Sequence, residues 1–335
     1  DKMMELMRKY IGEASYAEQI QAEQYEEVMS YASVNMRFDY SIPVEEFIKE
    51  NDISYSVNLG DLTNFTSIGF STASTENLFI RDRNTDTYYR IIVDDTSVST
   101  ELGEEVSAFI KSVESSEYIP YYYIADIVGV ENDALMPLFM SSNLTEMKGT
   151  QEFSISDQAK ANRIASGFFA SGLDFVRKIT ENKGSLLYMY GSSQSLIMEE
   201  NGKIKYSENF DPSVYNQRGF YDSLEKAVEY VSSHGKWNSL YSNGCRPYLK
   251  AADRILNSGG SGYHFVFGLE NNGVSIEYTE GEILSVDVCG QQVTAYERDI
   301  VIMSEEADQS GEMWESIEPV NILTENYAKI GQIIG

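Results

Sequence analysis

Between residues 157 and 300 the sequence twice places a predicted helix ahead of a run of short strands. The first helix is predicted over 157–182, broken near Gly167 or Gly172, and three strands follow it to about residue 208. The second unit starts at residue 220, where Asp222 and Glu225 form a capping pattern, and ends in a four-strand meander by residue 300. A helix followed by a meander packs as an antiparallel sheet covered by helices.

The predicted strands alternate between apolar and polar side chains. In residues 282–288, for example, Val286 and Val288 alternate with Ser285 and Asp287. One face of such a sheet is dry and the other is wet. The dipeptide at 201–202, Asn-Gly, predicts a tight hairpin. The sequence also contains 24 tyrosines, which suit half-buried strand positions. We therefore predict an α+β fold of antiparallel β-meanders packed against helices.

The rest of the chain completes a three-part organisation. Residues 3–33, rich in Glu and Gln without proline, predict a long N-terminal helix that is either a stalk or an ordinary packed helix. Residues 77–93 predict strand, turn and strand, 246–256 a second helix of the later unit, and 317–334 a last helix. We expect an N-terminal helix over 1–35, an α+β domain over 36–150, and a C-terminal region over 151–335 with sub-units of about 151–212 and 213–335.

The charge balance excludes some partners. Lys and Arg number 25 against 53 Asp and Glu, which gives a net charge of −28. Nucleic acids and anionic lipids both require a basic face, so neither is an expected ligand. An acidic surface keeps a protein soluble, and it can also steer a partner. The sequence contains no apolar run long enough to span a membrane, so we expect any membrane anchor to lie upstream of Asp1.

The motifs of common catalytic and binding sites are missing or incomplete. No phosphate-binding loop or dinucleotide fingerprint is present, and the glycine-rich segment 257–262 follows a helix pattern instead of preceding one, which predicts a linker. Residues 82–86 imitate the start of a calcium loop, but Thr87 and Val93 replace its Gly and Glu, so a polar turn is predicted. The segment 191–195 lacks the second glycine of a nucleophile elbow.

Two histidines and two cysteines remain as reactive side chains. His234 precedes Gly235 at the end of a predicted helix, where it can bind free carbonyl groups and mark the helix end. His264 lies in a predicted strand among aromatic residues, which indicates a packed or edge position. Cys245 and Cys289 are either two buried thiols or one disulfide. We predict no catalytic, cofactor-binding or metal-binding residue, and no cofactor.

The C-terminal region resembles the YycH/YycI family over about residues 150–300. The resemblance rests on the segments 168–209, 223–237 and 263–298, in which a helix ending at His-Gly precedes a meander with an Asn-Gly turn and a Tyr-Arg-like closing strand. The matching positions are Ala227, Val231, His234, Gly235, Tyr263, Asn272, Gly273, Val286, Tyr296 and Arg298.

This resemblance implies a non-catalytic regulator outside a Gram-positive cell. Such proteins are anchored in the membrane by one N-terminal helix and modulate a sensor histidine kinase of a two-component system that controls the cell wall. The resemblance therefore implies the kinase as a partner, and it leaves a paralogous regulator open as a second partner. Two other classes remain open: a cell-wall hydrolase that uses carboxylates or a Cys–His pair, and a module that binds wall glycan or peptide through tyrosine-rich faces.

Overall fold

A computed structural model describes residues 2–54, 59–114, 121–123, 135–137, 147–151, 153–181, 184–212, 216–234, 245–257, 260–271, 274–276, 281–299 and 301–305. The chain divides into two compact units. One unit comprises residues 1–107 and 149–304, and the other comprises residues 108–148 and 305–335. None of the helices in these ranges is long and apolar enough to span a membrane.

The N-terminal elements surround a five-stranded antiparallel sheet with the order β1-β5-β4-β3-β2. In chain order the elements are α1 (Lys2–Gly12), β1 (Tyr16–Ile20), α2 (Ala22–Met29), β2 (Ser33–Pro43), α3 (Val44–Glu50), β3 (Asn64–Ser71), β4 (Leu78–Asp82), β5 (Thr87–Ile92) and α4 (Thr96–Glu114).

The single long helix predicted over residues 3–33 is wrong. α1 ends at Gly12, and β1 then pairs with β5 from Tyr16 opposite Ile92 to Ile20 opposite Tyr88. This ladder supplies hydrogen bonds from a distant strand, and Ile20 joins a buried cluster with Tyr88 that local helix propensity does not anticipate. α1 itself is packed, with Leu6 and other side chains of one face fully buried.

The strand–turn–strand pattern predicted for residues 77–93 is confirmed as β4 and β5. The acidic turn between them is a polar turn, as expected. The Asp82 carboxylate accepts the Asn84 N–H at 3.1 Å and the Thr85 hydroxyl at 3.0 Å, and Asp86 adopts a positive φ of 53°. The turn thus uses its acids to satisfy its own backbone.

Nine of the strands that follow α4 form one sheet, and four others pair separately. In chain order the later elements are β6 (Tyr121–Tyr123), β7 (Leu135–Pro137), β8 (Met147–Gln151), α5 (Gln158–Ser166), β9 (Arg177–Thr180), β10 (Leu186–Tyr190), β11 (Gln194–Met198), β12 (Ile204–Glu208), α6 (Phe220–His234), β13 (Cys245–Asn257), β14 (Gly260–Asn271), β15 (Val274–Ile276), β16 (Leu284–Cys289), β17 (Gln292–Arg298) and β18 (Val301–Glu305).

The two predicted helix-then-meander units share this one sheet. Its order is β13-β14-β16-β17-β12-β11-β10-β9, with β15 paired to the end of β14, and all pairs are antiparallel. The join is the β12–β17 pair, where Tyr206 lies opposite Tyr296. The predicted α+β class with β-meanders is confirmed. Separately, β6 pairs with β7 and β8 with β18.

The helix predicted over residues 246–256 is wrong, because this segment is the strand β13. It pairs with β14 along its length, from Cys245 opposite Asn271 to Asn257 opposite Gly260, with an irregularity between Leu249 and Ala251. The apolar spacing that resembled a helix is therefore overridden by the long partner strand. The glycine-rich segment 257–262, predicted to be a linker, belongs mostly to the paired strands, because Asn257 ends β13 and residues 260–262 begin β14. Residues 258–259 lie outside the described residues.

The helix predicted over residues 157–182 is wrong beyond Ser166. α5 ends there, with Gly167 as its C-cap, and the chain continues through turns into the strand β9 instead of a second helical stretch. The tight hairpin predicted at Asn201 and Gly202 is confirmed. The Asn-Gly turn joins β11 to β12, closed by the Glu199 N–H on the Lys203 carbonyl at 2.8 Å, with Gly202 at a φ of 90°. The last helix, predicted over 317–334, lies outside the described residues.

Candidate functional site

Helix α6 lies on the nine-stranded sheet and forms the centre of the candidate site. Its inner face packs on β14, β16 and β17, with Phe220, Ala227 and Val231 buried. The Phe220 ring lies edge-on to Tyr263 at 5.5 Å between centroids. At the start of the helix, the Tyr221 N–H donates to Glu46 of α3 at 3.1 Å, which ties α6 to the N-terminal half of the unit.

His234 ends α6, as predicted, and joins it to the end of α5. Its Nδ1 lies 2.8 Å from the Tyr230 carbonyl and 2.9 Å from the Ser233 hydroxyl, and its Nε2 lies 3.0 Å from the Gly167 carbonyl. The ring stacks on Tyr230 at 3.9 Å and contacts Phe168 at 4.6 Å. Both ring nitrogens therefore serve the packing of the two helix ends.

Burial lowers the pKa of His234, and its contacts with the Tyr230 and Gly167 carbonyls oppose that shift. The neutral ring therefore dominates near neutral pH. In that form Nε2–H donates to the Gly167 carbonyl, and Nδ1 carries no hydrogen, so the Tyr230 carbonyl accepts the Ser233 hydroxyl at 2.8 Å instead. These contacts account for His234 as a structural residue at the helix end. Gly235, the predicted residue after the helix, lies outside the described residues.

Arg298 caps the same helix end from the sheet. Its side chain is buried, and Nη1 donates to the His234 carbonyl at 2.5 Å. A cation at the C-terminus of a helix also complements the helix dipole. The sequence matched Arg298 to the end of a strand but could not assign it this partner, because the contact spans 64 residues.

The tyrosines beside His234 are structural as well. Burial raises the pKa of Tyr206 and Tyr230, and the hydrogen bond from the Tyr206 hydroxyl to Glu208, at 2.8 Å, raises that of Tyr206 further. Both phenols therefore remain protonated under physiological conditions. Tyr188 and Tyr296 are also almost completely buried, so these tyrosines belong to the core.

His264 lies on the opposite face of the sheet from His234. Its neighbours Tyr263 and Phe265 face Phe220 of α6, so the alternation of a strand turns His264 away from that helix. Nδ1 of His264 lies 2.5 Å from the Asp287 carboxylate. This bond raises the pKa of His264, with a smaller opposing effect of burial. The structure therefore does not bring the two histidines together.

Of the two cysteines, Cys289 has a described side chain, and it is buried in the core. Cys289 lies in β16, and the Thr294 hydroxyl lies 3.9 Å from its Sγ. The side chain of Cys245 lies outside the described residues, so its pairing stays a prediction. Within the described ranges, no group of three or more His, Cys, Asp or Glu side chains is placed to hold a metal ion.

The outer face of α6 lines a groove of about 780 Å³, which we call the α6 groove. Its carboxylates come from Asp222, Glu225 and Glu229 of α6 and from Glu50 of α3, and its described lining contains no Lys, Arg or His. Val228 projects into solvent with 46% of its surface exposed. The groove can therefore hold a partner that combines apolar and cationic side chains.

Sequence reasoning missed this groove. Its signal was present in α6, where acids recur at positions 222, 225 and 229 around an apolar residue at 228. Positions three and four apart share a helix face. The charge of the groove is nevertheless formed by two helices, and the approach of α3 was not visible in the sequence.

Comparison with known proteins gives one structural likeness. The chain matches no known family model, and no curated protein matches it. Among solved structures it is similar to the crystal structure of YycH from Bacillus subtilis, with a TM-score of 0.49 and 13% sequence identity, over 87% of this chain and 72% of that chain. This likeness is partial, and it stands beside the resemblance to the YycH/YycI family that the sequence shows over about residues 150–300.

Proposed function

We propose that this chain is a non-catalytic extracytoplasmic regulator that modulates a sensor histidine kinase of a cell-wall-controlling two-component system. The sequence resemblance over residues 150–300 supports the class of protein and implies an anchor helix upstream of Asp1. The observation that carries the interaction is the α6 groove, because α6 packs on the sheet and presents the exposed side chain of Val228 in a groove lined by four carboxylates.

The positions of the histidines support a role without catalysis. His234 and His264 each bind groups of the fold itself, and they lie on opposite faces of the sheet. Catalytic acid–base or nucleophilic chemistry needs such groups within hydrogen-bond reach of a common substrate position. A Cys–His hydrolase built on these residues therefore receives no support from the described geometry.

The packing of the tyrosines likewise disfavours a glycan-binding module. A sugar-binding surface presents exposed aromatic rings in one groove. Here Tyr188, Tyr206 and Tyr296 are buried between helix and sheet, and among the described residues that line the α6 groove the one aromatic side chain is Tyr221, which is half-buried.

The proposal is tested by reversing charge in the groove of the full-length anchored protein. We expect Glu225→Lys with Glu229→Lys to abolish crosslinking of a photoreactive residue at position 228 to the kinase, and to alter output of a kinase-dependent reporter. Glu23 and Glu27 of α2 form the matched control, since they are also exposed and four residues apart on a helix.

The control variant Glu23→Lys with Glu27→Lys should crosslink and signal as the wild type does. If the groove variant behaves as this control does, the α6 groove is not the contact surface. If deletion of the whole protein leaves kinase output unchanged, the regulatory function itself is refuted.

A further inference from the structure

Strand β9 ends the nine-stranded sheet, and within the described residues it pairs with β10 alone. The Glu181 N–H donates to the Ser185 carbonyl at 2.9 Å. In an antiparallel ladder, hydrogen-bonded pairs alternate with non-bonded pairs. The next pair but one in this register is Ile179 opposite Leu187, so these two residues are also joined by backbone hydrogen bonds. The backbone N–H and C=O groups of Lys178 and Thr180 consequently point outward.

An exposed aromatic residue precedes this edge. Phe175 has 90% of its surface in solvent and adopts a positive φ of 65°. Residues with a Cβ, other than Asn and Asp, rarely take this conformation because of steric cost. The turn that holds it is closed by the Val176 N–H on the Leu173 carbonyl at 3.2 Å. The ring of Phe175 is therefore exposed to water, and its strained backbone conformation is not compensated by packing of the ring.

The edge is also basic, in contrast to the chain as a whole. β9 begins with Arg177 and Lys178 and contains no acid, and the nearest acids along the chain, Asp174 and Glu181, lie outside the strand. Lys178 is held, since its Nζ donates to Asn162 at 2.9 Å. Arg177 is exposed, and its side chain makes no hydrogen bond or ion pair with another described residue.

Basic residues on an edge strand commonly protect a sheet from aggregation. Such protection accounts for Arg177 and Lys178, but it does not account for Phe175, since an exposed aromatic ring beside an open edge favours association. The open backbone edge, the exposed ring of Phe175 and the basic side chains together match recognition by strand addition. In this mode, backbone hydrogen bonds hold an extended segment and side chains select it.

We propose that β9 binds an extended, acidic segment of a partner protein, which adds to the sheet as a further antiparallel or parallel strand. The outward backbone groups of Lys178 and Thr180 form the hydrogen bonds. Arg177 attracts the acidic side chains, and Phe175 packs on an apolar side chain of the segment. This surface does not involve α6, so the proposal stands independently of the groove.

The test is a selection of displayed random dodecapeptides against the full chain. Thr180→Pro removes one outward N–H while the Ile179 and Glu181 bonds to β10 remain, and Thr180→Ala is the matched control because it keeps that N–H. We expect enriched peptides to be acidic with a two-residue apolar alternation. Their affinity should fall about tenfold in Thr180→Pro and remain unchanged in Thr180→Ala.

A second variant, Phe175→Ser, changes no residue of the ladder and should also weaken the peptides by about tenfold, because the aromatic anchor is lost. Circular dichroism of each variant checks that the sheet is intact. The proposal is overturned if no peptide is enriched, or if the enriched peptides bind both variants as they bind the wild type. It is equally overturned if the wild type forms dimers that Thr180→Pro dissociates, since a second copy then occupies the edge.

Discussion

Replacing His234 by alanine measures how the two helix ends are joined. The change removes the Nε2–H that donates to the Gly167 carbonyl and the ring that lies against Tyr230 and Phe168. It leaves the His234 backbone carbonyl, so the bond from Arg298 is retained. The loss of stability therefore reports the side chain alone.

The expected loss is worked from these contacts. A neutral hydrogen bond contributes about 0.5–1.5 kcal/mol, and each aromatic ring contact adds about 0.5–1.5 kcal/mol. Since His234 is half-buried, we expect the free energy of unfolding to fall by about 2–3 kcal/mol near pH 8.

The dependence on pH has a definite sign. The folded pKa of His234 is lowered from the unfolded value of about 6.5, so its contribution is fully present above that value and declines as pH falls through and below it. His264 behaves in the opposite way, because its folded pKa is raised. Its contribution is full below about pH 6.5 and is lost as pH rises through the folded pKa.

The assay is urea unfolding of the full chain, followed by far-ultraviolet circular dichroism between about pH 5 and pH 8. The destabilisation caused by His234→Ala should shrink toward acid pH, whereas that caused by His264→Ala should grow. Parallel trends for the two variants, or a loss below about 0.5 kcal/mol for His234→Ala at pH 8, would refute this account of the helix junction.

Other substitutions test the packing, each by urea unfolding. Gly262→Ala should lower the free energy of unfolding by about 1–3 kcal/mol, because the added methyl group would collide with the Val288 carbonyl oxygen. Gly167→Ala is the control and should be near neutral, because the nearest atom to its added methyl group lies at 3.4 Å. Equal effects of the two variants would contradict the close approach of the strands at Gly262. Phe168→Ala should lose about 3–5 kcal/mol because the ring is buried, and a loss under about 1 kcal/mol would be inconsistent with that packing. Phe175→Gly should gain about 1 kcal/mol by relieving the positive φ, and a clear loss would show that the ring packs in solution.

Sequence patterns predicted elements whose partners are close along the chain. The hairpins β4–β5 and β11–β12 join neighbouring strands through turns with recognisable chemistry, so alternation and turn residues sufficed. The helix predictions that covered residues 16–20 and 246–256 were wrong for the opposite reason. Each of these segments takes its strand conformation from a long ladder, β1 with β5 and β13 with β14, that outweighs the helical character of the segment.

In the candidate site, too, the sequence predicted the local features and missed the contacts between distant segments. The position of His234 at a helix end followed from capping chemistry, which is local. Its partners Gly167 and Arg298 lie 67 and 64 residues away along the chain, and the carboxylate of Glu50 reaches the groove from another helix. Only the packing of α6 against α3, α5 and the sheet defines these neighbours, and packing is not encoded in any single segment.

The pairing of β12 with β17 also sets an order of events during synthesis. Strands β9–β12 can assemble as soon as they emerge, but the free side of β12 must wait for the chain through Arg298, the residue opposite Ile204. At about 5–20 residues per second, that interval is about 5–20 s. Throughout it the nascent protein presents an open strand next to a hydrophobic core, so a chaperone that binds extended segments has a defined period in which to act.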